Sequence, residues 1–265
     1  MKKYLNINNK KISYEKIGIG NPIIFLHGIT SSSNTWNEID KAVSKIRTVY
    51  KIDFRGHGYS DHSNSYKWSE YSQDINFFIN EIVGSPVDIL GHSLGACVAS
   101  QVAALSQKNI RSIILEDPPF FHHRRAGKEG ISKRFNYNLS LAKSYNSKEE
   151  ILKIFKDNSK LSNVKNIENI ASNLSRLDYR VLEETINGSA LIGFNPEKII
   201  MEISNIKTLL LVGNEKKTGD VIIKKEIDFI TNNMKHLSIK KFDCGHNIHE
   251  EKTKEYKKEV INFLQ

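Results

Sequence analysis

Only two cysteines, Cys97 and Cys244, occur in 265 residues. That scarcity excludes a disulfide framework, and no Cys/His spacing resembles a zinc site. One bridge between the two thiols stays open from sequence. So low a cysteine count points to the reducing cytoplasm. Long apolar runs are also missing. None reaches the ~18 residues of a membrane-spanning helix, so no membrane partner is expected. Met1-Lys2-Lys3 is basic, but the residues that follow form no apolar signal core, and no signal peptide is read there. Acidic residues are the scarcer charge, 30 against 39 Lys+Arg, for a net charge of +9. No DNA- or RNA-binding motif accompanies the excess, so the expectation is a Lys-rich, solvated surface and no nucleic acid. Hydrophobic residues make up 39%. That is below the average of about 45–50% but enough to exclude global disorder. The length suits one large domain, or one and a half.

Val/Ile-rich runs of strand length recur at 23–26, 49–53, 87–90, 110–115, 208–212 and 237–242. Most are short and continuous, as in strands buried on both faces. Helical patterns lie between them at 33–45, 70–83, 94–107, 219–233 and 249–264. This alternation predicts an α/β fold with a doubly wound, mostly parallel sheet. The first 17 residues alternate polar and apolar, which predicts an antiparallel hairpin at the sheet edge. From Pro118 to Ser204 the alternation stops. Helical patterns at 132–145, 147–158, 163–175 and 178–187 predict a helical cap over the crevice where ligands bind. The expected organisation is a core of residues 1–117 and 205–265, with 118–204 as the lid inserted after the sixth strand.

Gly91-His92-Ser93-Leu94-Gly95 is the strongest motif. An apolar strand, Val87-Asp88-Ile89-Leu90, precedes it, and a good helix start follows. In so tight a strand-to-helix turn the serine takes a strained backbone conformation, and the residues two before and two after must be tiny. The hydroxyl is then presented at a helix N-terminus, which favours developing negative charge.

At this point the chain resembles the α/β-hydrolase fold family over nearly its whole length. Ile24-Phe25-Leu26-His27-Gly28 looks like the family's oxyanion segment. Asp53 to Asp61, with its Arg55-Gly56-His57-Gly58 centre, resembles the loop after the next strand. Gly91 to Gly95 matches the nucleophile elbow, and Gly245-His246 matches the loop of the catalytic histidine. Acyl transfer needs N–H donors for the carbonyl oxygen. One is expected at Leu94, after the nucleophile, and the resemblance places the other at Ile29. His27 is expected to order that loop, and His57 to be structural. His246 follows the last predicted strand, so it should arrive at the sheet edge beside Ser93 as the base. His249, three residues on, is expected to pack or cap. The family's usual acid position, three residues after Gly213, holds Lys216, which cannot orient an imidazolium. Asp117 in Leu115-Glu116-Asp117-Pro118 is the leading candidate acid, with Glu215 and Asp220 as alternatives.

Past Asp117, Phe120 and Phe121 are expected to line an acyl pocket. The stretch 118–134 carries Arg124, Arg125, Lys128, Lys133 and Arg134 against one acid, Glu129. Arg124 and Arg125 are therefore candidate contacts for an acidic substrate or a carrier protein. Trp36 is expected to pack near the oxyanion loop, and both thiols to be inert. The reading is a serine hydrolase for a small or medium carboxylic ester, thioester or lactone, with no cofactor and no metal. Two alternatives stand beside it: a C–C bond hydrolase or lyase acting on an acidic substrate, and a low-turnover ligand sensor with the same pocket.

Overall fold

The computed structural model describes residues 1–158 and 166–265. The strands are β1 (Lys3–Ile7), β2 (Lys10–Ile17), β3 (Pro22–Leu26), β4 (Thr48–Ile52), β5 (Val87–His92), β6 (Ile110–Glu116), β7 (Lys207–Val212) and β8 (Leu237–Lys241). They form one sheet in the order β1-β2-β4-β3-β5-β6-β7-β8. Strands β3 to β8 run parallel to their neighbours, while β1 pairs with β2 and β2 with β4 antiparallel. The expected edge hairpin is present. Its turn is Asn8-Asn9, with φ of 48° and 62°, a conformation that asparagine tolerates and two-residue hairpin turns require.

Before the elbow lie α1 (Asp40–Val43) and α2 (Trp68–Phe78), and after it α3 (Leu94–Leu105). Between β6 and β7 come α4 (His122–Ser144), α5 (Lys148–Asp157), α6 (Ile167–Leu174), α7 (Arg180–Asn187) and α8 (Pro196–Glu202). The chain closes with α9 (Glu215–Thr218), α10 (Lys224–Asn233), α11 (Ile248–Glu251) and α12 (Thr253–Leu264). No helix among the described residues is long and apolar enough to cross a membrane.

Successive residues of a strand face opposite sides of a sheet, and here both sides are buried. Ile24 and Leu26 of β3 join the cluster that contains Val98 and Val102 of α3. Ile23 and Phe25 join the opposite one, with Tyr256, Val260 and Leu264 of α12. Two-sided burial explains why these strands read as continuous apolar runs. After β3 the chain steps outward to β4, then returns past β3 to β5. The loops after β3 and β5 therefore leave the sheet on either side of a topological switch point, where open α/β sheets hold their ligands.

Several sequence expectations need correction. The helix expected over 33–45 is a 3₁₀ turn, Ser33–Trp36, followed by the single turn of α1. The helix expected at 132–145 begins at His122 and kinks at Gly127, where φ is 62°. The helix expected over 219–233 begins only at Lys224, as α10, because Gly219 and Asp220 are left-handed and end the short α9 before it. Of the pattern at 163–175, residues 163–165 lie outside the described residues, and α6 occupies the remainder.

Candidate active site

Ser93 sits between β5 and α3 at φ 54° and ψ −118°. A non-glycine residue pays strain for that conformation. The two flanking glycines show why the turn tolerates nothing larger. A Cβ on Gly91 would lie 2.2 Å from the Gly95 carbonyl oxygen, and one on Gly95 would lie 2.2 Å from that of Leu26. The Ser93 N–H donates to the Glu116 carbonyl at 2.9 Å. Its hydroxyl makes no hydrogen bond among the described residues.

Beside Ser93, the N–H groups of Ile29 and Leu94 also lack partners among the described residues. Leu94 is the first residue of α3, where helix geometry leaves the N–H free. The Ile29 N–H is aimed by its own peptide. The Gly28 carbonyl accepts from Ser31 N–H at 3.1 Å and from His27 Nδ1–H at 2.8 Å. In a trans peptide the N–H then points the opposite way. His27 Nε2 accepts the Phe54 N–H at 3.1 Å, which fixes the tautomer with the proton on Nδ1. Burial lowers the His27 pKa to about 3, so the ring stays neutral. His57, also buried, donates from Nε2 to the Ile29 carbonyl at 2.6 Å.

His246 Nδ1 lies 2.6 Å from Asp117 Oδ2. Asp117 follows β6 with φ 47°. Its N–H donates to the Leu211 carbonyl at 2.8 Å, and its Oδ1 accepts the Gly213 N–H at 3.3 Å. The end of β7 thus supplies backbone groups to this carboxylate. Burial, then the charge of Arg134, lowers the His246 pKa to about 3. Burial raises Asp117 to about 7 against the pull of the Gly213 N–H. Two such groups in contact take up a proton as one unit. The alternative acids lie elsewhere. Glu215 is exposed and accepts the Lys224 N–H at 3.3 Å. Asp220 is also exposed, and its carbonyl accepts from His122 at 3.1 Å.

A second histidine–carboxylate pair runs beside the first. His249 Nδ1 contacts Glu116 Oε1 at 2.8 Å, both side chains being buried, and its ring packs 4.6 Å from that of Trp36. Burial alone would raise Glu116, but His249 and His92 overcome this and hold it at about 2. Burial alone would lower His249, but Glu116 keeps it above its ordinary value. His92, neutral through burial, donates from Nε2 to the His246 carbonyl at 3.1 Å. His92, Glu116 and His249 offer ligand atoms within 4.8 Å of one another. The buried ion pair and the His92 bond to backbone already account for that clustering.

Two cavities meet at Ser93 and His246. The larger, about 420 Å³, has Asn138, Asn169 and Asn173 of the helical insertion in its wall. The smaller, about 40 Å³, is mostly apolar, with Trp68, Ile131 and Val221. Arg134 and Phe135 of α4 line both. The residues expected to select substrate lie elsewhere. Phe120 is buried and stacks with Phe194, while Phe121 meets Phe229 edge-on. Arg124 is paired with Glu197, and Arg125 with Glu226. None of the four lines either cavity. Near the start of the insertion the chain carries many cations, and acids from α8 and α10 take up these two. Arg134 was visible only as one member of that basic stretch. Cys97 and Cys244 are buried, free thiols, and burial raises both pKa values.

Residues 21–253 match the family model of the α/β hydrolase fold. A 2-(acetamidomethylene)succinate hydrolase of Mesorhizobium japonicum is 31% identical over 114 residues, 43% of this chain and 41% of that protein. A serine hydrolase-like protein of Danio rerio is 31% identical over 101 residues, 37% of this chain and 31% of that protein. Across the first curated relatives it matches, the chain spans 38% of their length or less. Among solved structures, an esterase from Exiguobacterium antarcticum superposes with a TM-score of 0.78 at 20% identity, covering 99% of both chains. With the sheet order, the switch point and a family match over most of its length, the chain belongs to the α/β hydrolase fold family.

Proposed function

We propose that the protein is a serine hydrolase that cleaves a small or medium carboxylic ester, thioester or lactone through an acyl-enzyme on Ser93. The observation that carries this reading is the 2.6 Å contact of His246 Nδ1 with Asp117, at the same cavity as a serine held in a strained elbow. A neutral His246 with its proton on Nδ1 leaves Nε2 free to take the Ser93 proton. The hydroxyl oxygen then attacks the acyl carbon, and the Ile29 and Leu94 N–H groups receive the charge on the carbonyl oxygen. His246 returns the proton to the leaving group, and a water activated by the same ring releases the acid. Asp117 orients the ring and stabilises the imidazolium. The serine–histidine bond is not yet made, as is common before substrate binds. The insertion from 118 to 204 acts as a lid, since its residues wall the larger cavity. Relatives named as a serine hydrolase-like protein and as an esterase favour the ester reading. Two buried, unpaired thiols suit the cytoplasm as working compartment.

Incubation with a fluorophosphonate probe, read by intact mass, tests this directly. One adduct is expected on the wild type and none on Ser93→Ala. A folded wild type that stays unlabelled and hydrolyses no member of an ester, thioester and lactone panel would overturn the reading.

A further inference from the structure

We propose that Arg134 anchors a carboxylate of the substrate, so that the site takes small acyl compounds bearing an acid group near the scissile bond. The inference rests on the serine-hydrolase reading of the same site. Arg134 is the residue of the basic stretch 118–134 that lines both cavities beside Ser93 and His246. Arg124, Arg125 and Lys133 each pair with a carboxylate. Arg134 pairs with none among the described residues; its guanidinium makes one hydrogen bond, from Nη1 to the Thr218 carbonyl at 3.3 Å. A guanidinium has five N–H donors in a fork that fits a carboxylate edge-on. Arg134 is exposed, and among the described residues no acid takes up the rest of that fork.

The surroundings favour the same ligand. Arg134 lies near enough to the reacting groups for its charge to bear on both His246 and Asp117. An acid held there sits close to the carbonyl under attack. The wall beyond it carries the carboxamides of Asn138, Asn169 and Asn173, which donate as well as accept. Among the described residues, the one carboxylate in the wall, Glu250, has a partner in the Thr35 hydroxyl at 3.3 Å. A volume of about 420 Å³ limits the polar part to a small molecule.

A pair of near-isosteric esters separates charge from shape: monomethyl succinate, and methyl levulinate, in which a methyl ketone replaces the carboxylate. Wild type is expected to favour the succinate ester in kcat/KM. Arg134→Met is expected to reduce that preference about 10- to 100-fold, mainly through KM, the effect of losing a charged hydrogen bond. Arg134→Lys should restore part of it, and Arg124→Gln should keep the wild-type ratio. Succinate binding, followed by calorimetry on the same proteins, is expected for wild type and lost in Arg134→Met. A preference that survives in Arg134→Met overturns the proposal. Where no ester is turned over, succinate binding decides: equal binding by wild type and Arg134→Met, or none by either, overturns it. Binding that depends on Arg134 in a protein that the fluorophosphonate never labels leaves the anchor standing and removes the hydrolase reading.

Discussion

Asp117 shows how a single carboxylate is placed by backbone groups far apart in sequence. Its N–H reaches the Leu211 carbonyl and its Oδ1 takes the Gly213 N–H, so β7 holds the side chain against His246. Asp117→Asn should cost about 10⁴-fold in kcat, because an amide that donates to Nδ1 enforces the wrong tautomer. Glu215→Gln and Asp220→Asn should leave turnover near wild type, since neither touches the ring. Steady-state rates on one ester, with circular dichroism as a folding control, decide among the three. Ser93 was legible because backbone sterics write glycines on both sides of it, and His246 from its place just after the last strand. Asp117 was one of three open choices, since sequence cannot show which carboxylate reaches the imidazole. Arg134 was hidden for the same reason. Five cations within 118–134 look alike until acids from other elements pair with some of them and leave one facing the cavity.

At the scale of elements, the strands were readable and several helices were not. Two-sided burial leaves a local trace, a continuous Val/Ile run. Residues 33–45 leave a false one. Trp36, Ile39 and Val43 recur at helical spacing and are all buried, yet Trp36 ends a 3₁₀ turn, Ile39 caps and Val43 closes a single α turn. The Lys51 ammonium, itself buried in β4, pairs with Asp40 at 2.6 Å and donates to Asn37 at 2.8 Å. That long-range demand is absent from the local pattern. The elbow is the opposite case, an element whose signature is written within five adjacent residues, Gly91 to Gly95. In Gly95→Ala the new Cβ would meet the Leu26 carbonyl oxygen at 2.2 Å and that of His27 at 2.7 Å, so β3 and α3 must part. The variant should lose about 1–3 kcal/mol of stability, as in other overpacked sites. It should also label far more slowly with the fluorophosphonate, because the separation spoils the spacing of the Ile29 and Leu94 donors. Gly84→Asn is the control: φ is 65°, nothing lies within 4 Å, and asparagine tolerates that conformation. Equal labelling rates for the two variants would show that the elbow spacing is not what sets reactivity.

Across the whole molecule, the buried histidines set the acid limit of the fold. Burial lowers His27, His92 and His246 to about 3, while in the unfolded chain each titrates near 6.5. Between these values the unfolded state binds the extra protons, so stability rises with pH in that window and is lost as pH falls. His246 drops out of the sum. Asp117 is raised to about 7, so the folded pair holds one proton in the same range in which the unfolded histidine holds one. His249 drops out too, since Glu116 keeps it protonated below its unfolded value. His27 beneath the loop after β3 and His92 in the elbow remain of the three, and His57 and His122, which burial also lowers, add to the loss. At 1.36 kcal/mol per proton and pH unit, His27 and His92 together give a slope of about 3 kcal/mol per pH unit between roughly pH 6 and 4.5. Below that, Glu116, held down at about 2, adds to the loss, because the unfolded carboxylate takes a proton first. Urea midpoints measured from pH 7 to pH 4.5 should fall along this slope, and His92→Asn should remove about one proton of it. A stability that is flat across this range would mean that these rings are protonated in the fold. The His27 tautomer that aims the Ile29 N–H would then be lost as well, so the acid stability of the molecule and the geometry of the proposed oxyanion hole stand on the same neutral ring.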